Sequence, residues 1–283
     1  MSAYRFCRTD DIGLLVEALN RCWVPCFPGE PQVSAATFKR MIRDLQVWCS
    51  SCMVAFSGSD PIAVLVGARR AWGTLVHRIA VHPEHRRQGH GRHLLESLGS
   101  KLAILGPPRL VAEVPDELTP ACALFSACGF AQQDTLTDYV LERAPTSRVP
   151  RGDLTTHITV EDLAATGLLQ GADAQVCWHR SLETVVAMKD DVVGLAVASD
   201  ECVQACLLYV RKGEEAEILS LRSLVDDGGA RIAHMLERLQ ADGIGTFRLS
   251  KVHPAEMPAG FLHALGFRPT DRHRRYGAMA RPA

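Results

Sequence analysis

One stretch, Leu75–Leu105, narrows the choice of fold more than any other part of the chain. It opens with Leu75–Val81, which is short, apolar and rich in β-branched residues and so predicts a strand. Pro83 cannot continue a ladder and ends it. Arg86-Arg87-Gln88-Gly89-His90-Gly91 follows. Leu94, Leu95, Leu98, Leu102 and Leu105 then fall at the spacing that lays one apolar stripe along a helix. Strand, glycine-bearing loop and helix, in that order, offer backbone N–H groups and a positive helix end to a phosphate.

Gly89 and Gly91 let the backbone approach an anion with no Cβ in the way. Arg86, Arg87 and Arg92, with His82, His85, His90 and His93, gather charge around the same loop. There is no Lys-Ser/Thr pair, so this is not a Walker loop, and it is not Gly-x-Gly-x-x-Gly. It does fit Arg/Gln-x-x-Gly-x-Gly/Ala, with Arg86, Gly89 and Gly91 in the fixed places and Ile79-Ala80-Val81-His82-Pro83-Glu84 before them. On these residues the chain resembles the GNAT acetyltransferase superfamily, whose acyl-coenzyme A signature sits between a strand and a helix. The resemblance implies acetyl-CoA as co-substrate. Its pantetheine arm would pair with the backbone of Ile79, Ala80 and Val81, and its pyrophosphate would sit among Arg86, Arg87, Gln88, Gly89, His90, Gly91 and Arg92.

At 283 residues the chain has room for one large domain or two ordinary ones. Charged residues make up 22% and the net charge is −1, so nothing suggests a nucleic-acid partner or a membrane surface. The first residues lack an apolar signal core and no apolar run reaches spanning length, which predicts a cytoplasmic protein. The ten cysteines then read as reduced, small apolar groups. Cys49-Ser-Ser-Cys52 has no second pair to complete a zinc site. The four histidines from 82 to 93 do not suit one helical face, and the phosphate reading uses their charge more simply. No metal is expected.

Taken in order, the first half predicts a strand at Tyr4–Cys7, a helix capped by Thr9-Asp10-Asp11, and a rigid loop at Cys22–Gly29. A helix at Ala35–Asp44 follows, then strands at Trp48–Phe56 and Ile62–Arg69 joined by a turn. After the central stretch come a strand at Leu110–Val114, a helix at Thr119–Cys128 stopped by Gly129, and Tyr139–Glu142 closing the sheet. Pro145–Pro150 reads as a linker. The second half repeats this outline: strands at Ala205–Val210, Glu217–Leu221 and Phe247–Leu249, helices through Ile232–Leu239 and Pro258–Leu265, then Gly266-Phe267 matching Gly129-Phe130. Gly89 to Gly129 is 40 positions and Gly228 to Gly266 is 38, while Tyr139 and Tyr276 each lie ten residues after their Gly129 and Gly266. The expected fold is mixed α+β (α/β): tandem GNAT-like domains, each a mostly antiparallel central sheet flanked by helices. The domains would be 1–144 and 151–283, joined by 145–150. With Gly228 set against Gly89, Val225 takes the place of Arg86 with Asp226 and Asp227 beside it, which predicts a second half degenerate for coenzyme A.

The implied reaction moves an acyl group from a thioester to an amine. A base is expected near the strand before the signature, yet no Asp or Glu lies between Ala71 and His82. His77 falls on the side of Leu75 and Val81 by strand alternation and has a suitable pKa. Glu113, on the next strand, is the alternative. The family's acid is usually a tyrosine four residues before the Gly-Phe pair, where this chain has Phe125 and, in its second half, Leu262. Trp23 and Phe27 form either a hydrophobic lid or, as the resemblance implies, a wall of the acceptor pocket. The expectation is an N-acetyltransferase for a small amine, working as a monomer or homodimer. The alternative is a non-catalytic acyl-CoA-binding sensor or structural protein.

Overall fold

In the computed structural model, residues 2–27, 29–146, 154–169 and 176–281 are described. They divide into two compact units: Met1–Asp134 with Arg274–Ala283, and Thr135–His273. The expected boundaries at 144 and 151 therefore do not coincide with the compact units. Residues 147–150 of the expected linker lie outside the described residues, as does Pro28 of the Cys22–Gly29 loop.

In the first unit, β1 (Ser2–Phe6), β2 (Met53–Ser57), β3 (Asp60–Arg70) and β4 (Gly73–Val81) pair antiparallel in chain order. The fifth strand, β5 (Arg109–Pro115), lies parallel to β4. Its helices are α1 (Ile12–Cys22), α2 (Ala35–Leu45), α3 (His90–Leu105) and α4 (Thr119–Ala127). Four residues of the apolar stripe of α3 do what their spacing predicts: Leu94, Leu95, Leu98 and Leu102 are buried in one cluster with Met53, Leu65, Val76, Leu110 and Ala112, whereas Leu105, in the last turn, is exposed. Each buried leucine contributes roughly 1.5–3 kcal/mol by leaving water. Ser34 caps α2 by accepting the N–H of Thr37 at 3.0 Å. Asp11 stands before α1 but caps nothing, because its carboxylate turns back to the Arg8 N–H (2.7 Å) and the Arg5 guanidinium (2.9 Å).

Two irregularities in this sheet shape the site. β4 and β5 pair only at Thr74↔Leu110 and Leu75↔Val111, and beyond those residues they have no mutual register. On its other side β4 bulges: Arg78 pairs with Val66 and Val76 with Gly67, which leaves His77 as the extra residue. Gly67 is obligatory in this arrangement, since a Cβ there would stand 2.6 Å from the Ser51 carbonyl oxygen.

In the second unit, β6 (Ala131–Leu141) pairs antiparallel with β11 (Thr246–Val252), and β11 lies parallel to β10 (Glu215–Ser223). From β10 the sheet continues antiparallel through β9 (Val203–Lys212), β8 (Val193–Ala198) and β7 (Leu154–His157). Helices α5 (Val160–Ala165), α6 (Leu182–Ala187), α7 (Ala230–Ala241) and α8 (Ala259–Ala264) complete it. Ile232, Leu236 and Leu239 of α7 share a core with Leu207, Ile218, Phe247 and Leu249.

The final strand, β12 (Arg268–Met279), corrects the expected closure of both sheets. Tyr139 and Leu141 were expected to finish the first sheet, but they lie in the core of the second unit, opposite Leu249 and Phe247. The first unit is finished by the end of β12, which borders β5 and puts Tyr276 in the core with Phe125 and Phe130. Tyr276 stacks on Phe125 with centroids 5.8 Å apart, and Phe130 meets Phe125 edge-on at 5.1 Å. Both tyrosine strands carry similar alternation, so local pattern cannot say which sheet each one joins.

Candidate active site

The segment between β4 and α3 carries the two glycines of the motif, and they serve different ends. After β4, Pro83–His85 makes one 3-10 turn, closed by the His85 N–H on the His82 carbonyl at 2.9 Å. Gly89, at φ +86°, is the N-cap of α3, and no side chain caps that helix. Nothing lies within 4 Å of where a Gly89 Cβ would stand, so the loop is open at this point. The first N–H groups of α3 therefore have no capping side chain. Gly91, by contrast, is a packing glycine: a Cβ there would stand 3.0 Å from Leu124 Cδ2 on α4 and 3.8 Å from Val81 Cγ2. This packing reason for a glycine at 91 was not legible in the sequence.

Arg86, Arg87, Gln88 and Arg92 are exposed around the loop. Arg87 itself holds φ +64°. Arg86 donates to Cys26 Sγ at 2.9 Å and to the Val81 carbonyl at 3.4 Å, tying the loop to the Cys22–Gly29 segment. His90 departs from expectation. It is buried, its Nδ1 bonds the Tyr4 hydroxyl at 2.7 Å, and burial, reinforced by His85 and His93, pushes its pKa down. It anchors α3 to β1 as a neutral ring instead of adding charge to the loop. The 3-10 turn also gathers ligand atoms of His82, Glu84 and His85 within 4.8 Å of one another, a grouping that helical spacing does not reveal.

The matching loop of the second unit is already filled. Its helix α7 is capped by Gly229 at φ +85°, not by Gly228, so the sequence pairing moves by one and Asp226 aligns with Arg86. The Asp227 carboxylate accepts the N–H groups of Gly229 (2.9 Å) and Arg231 (3.0 Å) and pairs with the Arg231 guanidinium at 3.0 Å. Burial pushes this carboxyl up, but those backbone and side-chain hydrogen bonds outweigh it and hold its pKa below the ordinary range. The first backbone donors of α7 are thus met by the chain's own carboxylate.

Where β4 leaves β5, Ile79, Ala80 and Val81 keep β3 on one side and, among the described residues, have no strand partner on the other. That edge fits an extended arm that pairs as a strand. His77 and Glu113 both lie in the diverging segments, each half-buried. The bulge cancels the alternation used to orient His77, since both His77 and Arg78 fall between Val76 and Ile79. Phe125, in the usual acid position, is 2% exposed inside the core and faces its aromatic partners, not solvent. Trp23 and Phe27 do stack, at 4.3 Å, and they draw in two residues that sequence reading missed. The Trp23 indole N–H donates to Glu30 at 2.9 Å, and the Arg78 guanidinium lies 4.9 Å from the Trp23 ring centre. Arg78 carried no signal in the sequence because a strand interior gives no hint of what a distant loop will bring against it.

The ten cysteines form no disulfide among the described residues, and burial pushes the Cys52 thiol up, away from reactivity. Among the described residues, no helix is long and apolar enough to cross a membrane.

Residues 14–130 match the acetyltransferase (GNAT) family model. No curated protein matches the chain in sequence. Among solved structures, a tandem GNAT protein from the clavulanic acid biosynthesis pathway superimposes at TM-score 0.68 and 15% identity, over 100% of each chain. A GCN5-related N-acetyltransferase from Sphaerobacter thermophilus gives 0.69 at 16% identity, over 100% of this chain and 96% of that one. A putative acetyltransferase from Pyrococcus horikoshii gives 0.64 at 15%, over 99% and 90%. Residues 14–130 are therefore similar to the acetyltransferase (GNAT) family, and over its whole length the chain has the tandem GNAT fold.

Proposed function

We propose that this protein is an acetyl-CoA-dependent N-acyltransferase for a small amine, with one acetyl-CoA site per chain, in the first unit. The observation that carries this reading is the contrast between two helix N-termini. That of α3 is uncapped, open and ringed by Arg86, Arg87 and Arg92, whereas that of α7 is satisfied by Asp227. The free edge of β4 supplies a place for the pantetheine arm, and charge-assisted contacts at the loop are worth about 1.5–3 kcal/mol each. In the reaction the amine nitrogen bonds to the thioester carbon, the C–S bond breaks, and the proton lost by the amine offsets the thiolate charge. His77 and Glu113 are the candidate bases. Coenzyme A thiolate is a tolerable leaving group near neutral pH, so the buried phenyl ring of Phe125 does not exclude turnover.

Two measurements test this. Calorimetry with acetyl-CoA should give one site per chain, and Arg87→Glu should weaken it by about tenfold or more, as loss of one charge-assisted contact implies. Arg87 is exposed, so this variant spares the core, as a change at Gly91 would not. Thiol release from acetyl-CoA over an amine panel then separates the enzyme from a binding-only sensor. Two equal sites, or binding untouched by Arg87→Glu, would show that the working loop is misassigned.

A further inference from the structure

Arg78 is a half-buried cation of the first unit's site with donors left unmet. Its side chain is 16% exposed, yet it makes no hydrogen bond among the described residues. Its Nη1 is buried with no partner, and its nearest anion, Glu30, stands 3.4 Å from Nη2. The remaining contact is the face of Trp23. A buried guanidinium ordinarily fills its fork of donors, because each one left unmet carries a desolvation cost. Arginine matches a carboxylate in that fork as few other groups can.

Position decides which anion this one serves. Arg78 belongs to the β4 bulge, next to the free edge at Ile79–Val81 and on the far side of it from the phosphate loop at 86–89. With strands rising about 3.3 Å per residue, Val81 is already roughly 10 Å along the chain from Arg78, and the loop lies farther still. The phosphates of coenzyme A are met there, not here. An anion at Arg78 must therefore arrive with the acceptor. Glu30 is 39% exposed, held by the Trp23 N–H, and stands beside Arg78. A guanidinium and a carboxylate side by side under an indole complement an amine and an acid separated by one carbon.

We propose that the acceptor is an amine bearing a carboxylate, of the α-amino acid class, with Arg78 as its acid-binding residue and Trp23, Phe27 and Glu30 framing the subsite. This rests on the acyltransfer reading above and deepens it.

The test compares acids with their own amides. Thiol release from acetyl-CoA is followed with a set of α-amino acids and the corresponding amino acid amides, for the native protein and for Arg78→Gln. The acids should be better substrates by about tenfold or more in kcat/KM, the discrimination one charge-assisted contact provides. Arg78→Gln should raise KM for the acids by a similar factor, leave acetyl-CoA affinity unchanged, and level the acid against the amide. Amides turned over as well as acids, or acid KM unmoved by Arg78→Gln, would overturn the inference and leave the acyltransfer reading standing. Acetyl-CoA binding with no thiol release from any amine would overturn both. The acid-to-amide comparison needs no variant, so it decides the matter even if Arg78→Gln fails to fold.

Discussion

Asp227 shows how one side chain can close a site that the backbone leaves ready. It meets the same N–H groups at the start of α7 that a bound anion would use, and it adds a short ion pair with Arg231. Because its folded pKa lies below the ordinary carboxyl value, the stability it contributes is present above the unfolded pKa of about 3.9 and is lost as pH falls through the folded value. Asp227→Asn should therefore lower the melting temperature at neutral pH, and the gap should close in acid as both proteins carry a neutral group. A gap that stays constant across that range would mean the ion pair does nothing for the fold. The neighbouring sequence announces the carboxylates but not their use. Read alone, Asp226 and Asp227 suggest repulsion of a ligand, whereas in the structure Asp227 takes up the first N–H groups of α7 itself. The shift of the cap from Gly228 to Gly229 was likewise illegible, since two consecutive glycines give no local reason to prefer one.

At the scale of elements, what was legible followed the strength of the periodic signal. The α3 stripe, the β3 and β4 strands and the Pro83 stop all carry strong local patterns, and they fold where those patterns put them. β8 was not read from the sequence. Val193-Gly194-Leu195-Ala196-Val197-Ala198 is too short and too uniformly apolar to show a period, and α5 and α6 are each six residues long. The β4 bulge escaped for a different reason: it depends on Gly67 lying against Ser51, a contact between segments that no local rule relates. That dependence makes a prediction. Gly67→Ala places a methyl group 2.6 Å from the Ser51 carbonyl, so either β3 moves or the bulge straightens. Overpacking of this kind costs about 1–3 kcal/mol. The variant should unfold at lower urea by that amount and, because His77 and Arg78 lose their bulged positions, should also lose turnover beyond what its residual fold explains. A variant with native stability and native turnover would show that the bulge is not held by this contact.

For the whole molecule, the consequential feature is that the first compact unit is built from two separate stretches of the chain, with the second unit lying between them in sequence. Residues 274–283 belong with 1–134, and Thr135 onward belongs with the second unit. The sequence repeat gave the correct landmarks, Tyr139 and Tyr276, but a repeat records ancestry of segments and not which sheet each segment enters. The distinction can be measured. A fragment ending at residue 144 would hold every predicted element of a first domain, yet it would lack Tyr276, which is 2% exposed and stacked on Phe125. It would also carry Tyr139 and Leu141 away from the core that buries them with Phe247 and Leu249. Removing one large aromatic side chain from a core costs about 3–5 kcal/mol, a large share of the roughly 5–15 kcal/mol that holds an ordinary domain. The 1–144 fragment should therefore show no cooperative thermal transition, and Tyr276→Ala in the full chain should destabilise the first unit. Acetyl-CoA should protect the native chain against heat and fail to protect the fragment. A fragment that melts cooperatively and binds acetyl-CoA as the full chain does would show that the final strand is dispensable to the first unit.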